Sequence, residues 1–430
     1  MNSSTTVMII LAISIIVLLK ELLPMGVVGL ALTFILVSLG IIDTKSAMQY
    51  YISDVCILIP CVYILGEGLF EAGISEKIGD MLNGISKKFK NKGEIITLLL
   101  VIITSAIACM ILPRYGVTGT LMPVTIALAK STKVSRTKLL LVLAMAANIW
   151  GNNTLVSTPP NMMANSYLTL SDAAIFGFFE FALIGVPIAV AGTLTMLLLN
   201  KKFLPNTIDE NLTTDKSNLI NQDAVKTVSK KKIVSMSIIF MIFVLGLVFE
   251  DLIGIKGTVT GLLCVVLVVV MGILDEERAF SSISWGIVFF IAGIQVLGKT
   301  IETSGAGSDI ASIVLKVLGN TPNPFFITGI MFIASAIMTQ FMSNTGAAGL
   351  LFPIAISIAS SIGANPQAVI MAVTMGCGAS FVTPMATPSN VMVMDMGKIQ
   401  FKDFIKIGIP LLVVTSIVCI LGIPLIWPFY

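Results

Sequence analysis

The chain contains no histidine. That excludes a histidine-held metal, a histidine general base and a histidine proton relay. Charge is scarce as well: Asp, Glu, Lys and Arg make up 11% of the 430 residues, against about 25% in a soluble domain. So few charges cannot coat a water-facing surface of that size, and a soluble enzyme is excluded. The six cysteines, Cys56, Cys61, Cys109, Cys264, Cys377 and Cys419, lie in apolar segments without paired spacing. Neither a disulfide framework nor a zinc site is expected, and they read as soft core residues. The net charge of +3 sits on loop lysines and implies no nucleic-acid partner. Residues 1–6 lack a basic n-region and a small-residue cleavage site, so they are expected to be mature chain.

What is present is hydrophobic: 56% of residues, with a mean hydropathy of +1.00. The apolar runs are about 17–25 residues long, enough to span ~30 Å of hydrocarbon. They lack the two-residue alternation of a β-barrel. They fall at 6–22, 25–42, 54–70, 94–112, 116–129, 137–156, 177–199, 233–250, 258–274, 284–299, 324–342, 346–362, 365–382 and 404–427. Two pairs of runs are interrupted by only three residues, Pro113-Arg114-Tyr115 and Ser343-Asn344-Thr345. Each pair reads as two spans or as one re-entrant hairpin.

Basic residues mark cytoplasmic loops. With both pairs threaded as hairpins and the N-terminus outside, 21 of the 26 Lys and Arg residues fall in inner loops and 4 in outer loops. Arg114 is left at the first tip. The expected fold class is an all-α polytopic protein of the cell membrane, with about ten transmembrane helices plus two re-entrant hairpins. Both termini are expected outside. The polar stretch 201–232 reads as a cytoplasmic linker between halves 1–200 and 233–430. Segment 73–92 reads as an amphipathic helix on the inner surface.

The halves resemble each other. With Pro113 set on Ser343, Gly116 meets Gly346, Gly119 meets Gly349, Leu121 meets Leu351, Pro123 meets Pro353 and Ala129 meets Ala359. Further on, Thr158-Pro159-Pro160-Asn161 meets Thr387-Pro388-Ser389-Asn390, and Thr154 meets Thr383. One hairpin opens inside and the other outside, so the repeats are expected to be inverted, as in secondary transporters.

Breaks at membrane depth leave backbone groups without partners, and they persist where they line a cavity or bind something. Ser343-Asn344-Thr345 before a helix is an N-cap arrangement, whose free N–H groups favour an anion. Its Asn carbonyl can instead face a small hard cation. Both Thr-Pro-x-Asn stretches, with Gly151, Asn152, Asn153 and Thr154 before one and Ser380, Thr383 and Pro384 before the other, are expected to be unwound over 151–161 and 380–390.

These tips, the run SNTGAAGLLFPIAISIA, both TP-x-N breaks and the opening LKELLPMGVVGLALTFILVSLGII resemble the divalent anion:sodium symporter family. The likeness covers nearly the whole chain except the family's usual first helix. It implies a homodimer with a fixed scaffold and a moving transport domain. It also implies di- or tricarboxylates carried with sodium by an elevator motion. On that resemblance, Thr339, Met342, Asn344 and Val382 hold sodium at the second site. The first site departs: Cys109, Pro113 and Arg114 stand where the family has its serine and its Ser-Asn, and only Gly151 matches. Arginine cannot deprotonate here. Its charge would repel an ion ~4 Å away by about 4 kcal/mol at an effective dielectric of ~20. Arg114 is therefore expected to replace the first sodium and to grip a carboxylate in a bidentate fork.

The expected substrate contacts are Arg114, Tyr115, Asn152, Thr154, Thr158 and Pro159 in the first half. In the second they are Ser343, Asn344, Thr345, Thr383, Pro384, Thr387 and Pro388. Glu67, Glu180, Glu250 and Asp395 lie near apolar spans and could pair with Arg114, Glu67 and Glu180 foremost. Three other readings remain open: an inorganic oxyanion carrier such as one for sulfate, a sodium-independent anion exchanger, and a cation/proton antiporter, although neither tip carries the carboxylate an antiporter needs. No nucleophile–base pair suggests an enzyme.

Overall fold

Apolar runs of this length satisfy their backbone internally only as helices, and the chain folds accordingly. The computed structural model describes residues 3–20, 22–74, 93–110, 112, 114–132, 134–205, 230–307, 309, 312 and 323–430. The amphipathic helix expected within 73–92 falls, apart from its first two residues, outside the described residues; most of the linker, at 206–229, and Pro113 lie outside them too.

The first half runs α1 (Ser3–Leu19), α2 (Met25–Ser38), α3 (Thr44–Gln49), α4 (Asp54–Glu71), α5 (Glu94–Cys109), α6 (Arg114–Thr132), α7 (Arg136–Trp150), α8 (Pro159–Leu170) and α9 (Ala182–Leu198). The second runs α10 (Lys230–Val248), α11 (Gly257–Val270), α12 (Glu276–Ser281), α13 (Trp285–Thr303), α14 (Pro324–Met338), α15 (Asn344–Ser361), α16 (Pro366–Gly378), α17 (Pro388–Gly397) and α18 (Phe401–Ile426). Among the described residues, five helical stretches are individually long and apolar enough to cross a membrane: 44–71, 231–248, 285–303, 344–361 and 401–426.

The helices sort into two bundles that each draw on both halves. Helices α1–α4 pack with α10–α13 as a frame, and α5–α9 pack with α14–α18 as a core bundle. The two bundles meet where α13 lies against α15 and α4 against α8. In the core bundle, α7 is buried from Thr137 to Ile149 and α16 from Ala368 to Gly378. Both are apolar all round, as central helices must be. Helix α7 packs against both α5 and α6, and α16 against both α14 and α15.

The frame also repeats, where no sequence motif announced it. Helices α2 and α11 are 14 residues each, and α3 and α12 are 6 each. The turn before each short helix contains a glycine in the left-handed region, Gly40 at φ +67° and Gly272 at φ +66°. Each short helix is then capped by an aspartate: Asp43 accepts from the Ser46 N–H and Asp275 from the Arg278 N–H. Those Ser46 hydrogen bonds hold the exposed Asp43 carboxyl below its ordinary range.

Helices α2 and α13 cross with their backbones nearly touching. A Cβ at Gly29 would run into the backbone of Phe289 and Phe290, and one at Gly293 into the backbone of Gly29. Glycine is what permits that approach, and van der Waals contact then does the work that the hydrophobic effect cannot do in lipid.

Candidate functional site

The site begins with two helix starts and two breaks. Ser343 caps α15, its hydroxyl accepting from the Gly346 N–H at 3.0 Å. The cap expected from Ser-Asn-Thr is therefore present. The Ser343 hydroxyl also faces Met25 Sδ of the frame at 2.8 Å.

Asn344, the first residue of α15, is the centre of an oxygen cluster. Its Oδ1 lies 2.6 Å from Thr339 Oγ1 and 2.8 Å from Ser380 Oγ. Both hydroxyls also lie near the Cys377 carbonyl, at 3.1 and 3.2 Å. Four oxygens thus share two hydroxyl protons, an excess of acceptors of the kind that suits a hard cation. Thr339 and Asn344 were expected here; Ser380 Oγ and the Cys377 carbonyl join them. Val382 is tied in through its N–H, which donates to Gln340 Oε1 at 3.0 Å.

Arg114, the first residue of α6, stands in the corresponding place of the first half. It is 6% exposed. Its Nε donates to the Gly151 carbonyl at 3.1 Å, and its Nη2 donates to Asn152 Oδ1. Its Nη1 is buried with no partner among the described residues. Gly151 is required beneath it, because a Cβ there would collide with the Arg114 stem. Cys109 Sγ lies 3.7 Å from the Ala147 carbonyl rather than among ion-binding oxygens. Tyr115 follows Arg114 in the first turn of α6.

Three of the four expected carboxylate partners of Arg114 are engaged elsewhere, and the side chain of the fourth, Asp395, lies outside what the structure describes. Glu67 lies 3.6 Å from Arg278, and Glu71, on the same helix, 2.7 Å from it. Glu180 accepts from Trp427 Nε1 at 2.7 Å, and Glu250 accepts from the Gly257 N–H at 3.0 Å. Arg114 instead meets neutral oxygens.

The breaks are shorter than expected. They occupy the residues between α7 and α8 and between α16 and α17, and the prolines of the second motif open the next helices. Pro159 and Pro160 begin α8, and Pro388 begins α17. A proline in the first turn removes an N–H that would have no intrahelical partner, and its fixed φ already suits the helix. The motif asparagines satisfy the unwound carbonyls. Asn161 Nδ2 donates to the Thr154 carbonyl at 2.8 Å, and Asn390 Nδ2 to the Thr383 carbonyl at 3.0 Å. Both reach back seven residues. Thr158 donates to Asn161 Oδ1 at 2.9 Å, and Thr387 Oγ1 accepts from the Asn390 N–H at 3.3 Å. Pro384 starts a single 3₁₀ turn inside the second break, and the Thr383 hydroxyl donates to the Gln340 carbonyl at 2.8 Å.

Asn148, which the motifs did not mark, and Asn152, which they did, bind the halves together. Asn148 Nδ2, on α7, donates to the Ser380 carbonyl at 3.2 Å and to Asn390 Oδ1 at 2.8 Å. Asn152 fits against Gly378, where any side chain would collide with its amide. A lone asparagine inside a helix, or a glutamine in the turn just past one, carries no pattern, so only their place in an apolar run could have flagged Asn148 and Gln340. Next to the first tip, a crevice separates Cys109, Met110, Leu112, Thr154 and Ser157 from Leu65, Gly66, Leu69, Phe240 and Phe243 of the frame.

Known proteins share this architecture. The citrate transporter family matches at residues 8–376 and 316–430. An uncharacterized transporter of Methanocaldococcus jannaschii is 27% identical over 405 residues, 93% of this chain and 88% of that protein. The Na(+)/citrate cotransporter of Mus musculus is 32% identical over 137 residues, 32% of this chain and 24% of that protein. Among solved structures, the YdaH transporter of Alcanivorax borkumensis superposes with a TM-score of 0.60 at 12% identity, covering 90% of this chain and 91% of that one. Neisseria gonorrhoeae MtrF superposes at 0.59 with 15% identity, covering 90% and 83%. At those identities the likeness is one of fold.

Proposed function

The chain belongs to the citrate transporter family, a multi-pass membrane transporter rather than an enzyme, and from that premise we propose that it carries di- or tricarboxylate anions together with sodium. This is the mode of the divalent anion:sodium symporters that the second tip and both Thr-Pro-x-Asn breaks resemble. The reading rests above all on Arg114: its Nη1 is buried with no partner among the described residues. A charged side chain at the centre of a bilayer, where a re-entrant tip would hold it, costs ~2.5–3.5 kcal/mol on insertion scales. Such a donor is retained where an anion completes it. A carboxylate matches a guanidinium in geometry as well as charge. The other end of the anion would meet Ser343, Asn344 and Thr345, at the positive end of α15.

Sodium would sit in the oxygen cluster of Thr339, Asn344 and Ser380, with the Met342 and Val382 carbonyls completing it. At the first tip, Arg114 supplies a fixed charge in place of a second ion. The core bundle would move against the frame, carrying the site across an inverted-repeat protein that works as a homodimer.

The test is thermal stabilisation of purified protein by succinate, citrate and sulfate, each with sodium and with choline. Stabilisation by a carboxylate that requires sodium is expected. Stabilisation by sulfate alone replaces the reading with an oxyanion carrier, and stabilisation indifferent to sodium replaces it with an exchanger.

A further inference from the structure

Gln340 lies between the second tip and the second break and is 6% exposed. Every polar atom of its side chain is used. Its Nε2 donates to the Ala336 carbonyl at 2.8 Å and to the Ala379 carbonyl at 2.9 Å. Its Oε1 accepts from the Val382 N–H at 3.0 Å, and its backbone carbonyl accepts from the Thr383 hydroxyl at 2.8 Å. One residue therefore grips the unwound chain at Ala379, Val382 and Thr383.

That stretch cannot hold itself. Ala379 leaves the helix at φ −82°, ψ +52°, and Thr383 is extended at φ −121°, ψ +148°. A helix keeps its carbonyls aligned through its own ladder; an unwound segment needs partners from outside. Gln340 stands one residue after Thr339 and four before Asn344. It joins the turn between α14 and α15, which Thr339 and Asn344 flank, to the break carrying Ser380 and Val382. In the first half the equivalent position is Met110, which has no amide. There Arg114 does the pinning, through Gly151 and Asn152.

We propose that Gln340 is a positioning residue that sets the sodium affinity of the second site. It does not ligate the ion, since both its amide atoms are occupied by backbone. It fixes the spacing of the oxygens that do. The proposal rests on the sodium reading given above.

The test is sodium titration, at constant ionic strength with choline, of the thermal stability of detergent-purified protein. Gln340→Met installs the residue of the first half and removes every side-chain bond at similar volume. Loss of an outer-shell partner of a metal site lowers metal affinity by roughly 10–100-fold; the half-saturating sodium concentration should rise by at least about tenfold on that scale. Gln340→Glu, protonated in this buried setting, keeps an acceptor for the Val382 N–H and should stay closer to wild type. Sodium–lithium discrimination should weaken in the Met variant only, a readout that mere loss of stability would not move. If the Met variant does not fold, Thr383→Val removes the hydroxyl bond alone and should raise the sodium requirement more modestly. A sodium-responsive wild type beside a Met variant, or a Val variant, with an unchanged titration overturns the role of Gln340 and leaves the sodium reading standing. A wild-type protein blind to sodium overturns both.

Discussion

Arg114 and Asn344 occupy matching places in the two halves of the core bundle. Each is the first residue of a helix, α6 or α15, and each reaches across to the break of its own half. Asn344 meets the Ser380 hydroxyl, and Arg114 meets the carbonyl of Gly151, the residue aligned with Ser380. The same geometry holds a neutral oxygen acceptor on one side and a fixed cation on the other.

Arg114→Ala should weaken substrate binding by ~2–5 kcal/mol, the scale for removing one member of a buried hydrogen-bonded charge pair. Arg114→Lys should recover only part, since an ammonium lacks the planar fork. The triple change Pro113→Ser, Arg114→Asn, Tyr115→Thr should restore an ion requirement. Sodium dependence of uptake in proteoliposomes is the measurement, and its Hill slope should be steeper in the triple variant than in wild type. An active triple variant with an unchanged slope refutes the exchange of ion for arginine.

Asn344→Ala should abolish sodium-dependent stabilisation and reduce uptake together. Its Oδ1 is the acceptor for two hydroxyls, and alanine leaves both facing the Cys377 carbonyl alone. Calorimetric melting with and without sodium, alongside uptake, checks this. A variant that keeps its sodium shift shows that the cluster is not an ion site.

Asn390→Ala should destabilise more than Asn161→Ala. Asn390 donates to the Ser380 and Thr383 carbonyls and accepts from Asn148, whereas Asn161 donates to the Thr154 carbonyl and accepts from Thr158. Each buried group left unpaired costs ~1–3 kcal/mol. The melting temperatures of the two variants in detergent should fall in that order.

Gly29→Ala should lower the melting temperature clearly, and Gly261→Ala should do so little. The two are equivalent positions of α2 and α11. A methyl at Gly29 meets backbone, which cannot yield. At Gly261 it meets Cys61 Cβ at 3.2 Å and Leu58 Cδ1 at 3.5 Å, contacts relieved by a shift of a few tenths of an ångström. Overpacking of the unyielding kind costs roughly 1–3 kcal/mol. Equal losses would mean that the crossing tolerates separation.

Both tips and both Thr-Pro-x-Asn stretches stood out in the sequence because polar residues and prolines interrupt apolar runs there. Their carbonyl-satisfying asparagines follow from the same chemistry. The boundaries did not follow: a proline looks like a break, yet Pro159 and Pro388 start helices. The surroundings of the carboxylates were not legible, because hydropathy says how deep a residue lies but not which way it faces, and Glu67 and Glu180 face Arg278 and Trp427. The frame repeat was hidden for the reverse reason. Helices α2 and α11 are uniformly apolar, and what they share is backbone geometry at Gly40 and Gly272 and a cap at Asp43 and Asp275.

Beside the crevice at the first tip, the two halves meet the frame at different points along their helices. Gly66 on α4 faces the first tip at Met110 and Leu112. Gly298, its equivalent on α13, faces the second helix pair far from its tip, at Pro353 and Ser357. On the elevator motion proposed above, two equivalent halves in unequal positions would have a companion arrangement in which the positions are exchanged. There Gly66 would face Pro123 and Ala127, and Gly298 would face Gln340 and Met342. The helical part of that difference, from Asn344 to Pro353 or Ser357, spans roughly 14–20 Å at 1.5 Å per residue. Cysteine pairs at Gly66 with Leu112 and at Gly298 with Met342, in a cysteine-free background, should therefore cross-link in mutually exclusive states, with substrate and sodium shifting the balance. Pairs that form together in one molecule would mean the offset is a fixed asymmetry and not one end of a journey.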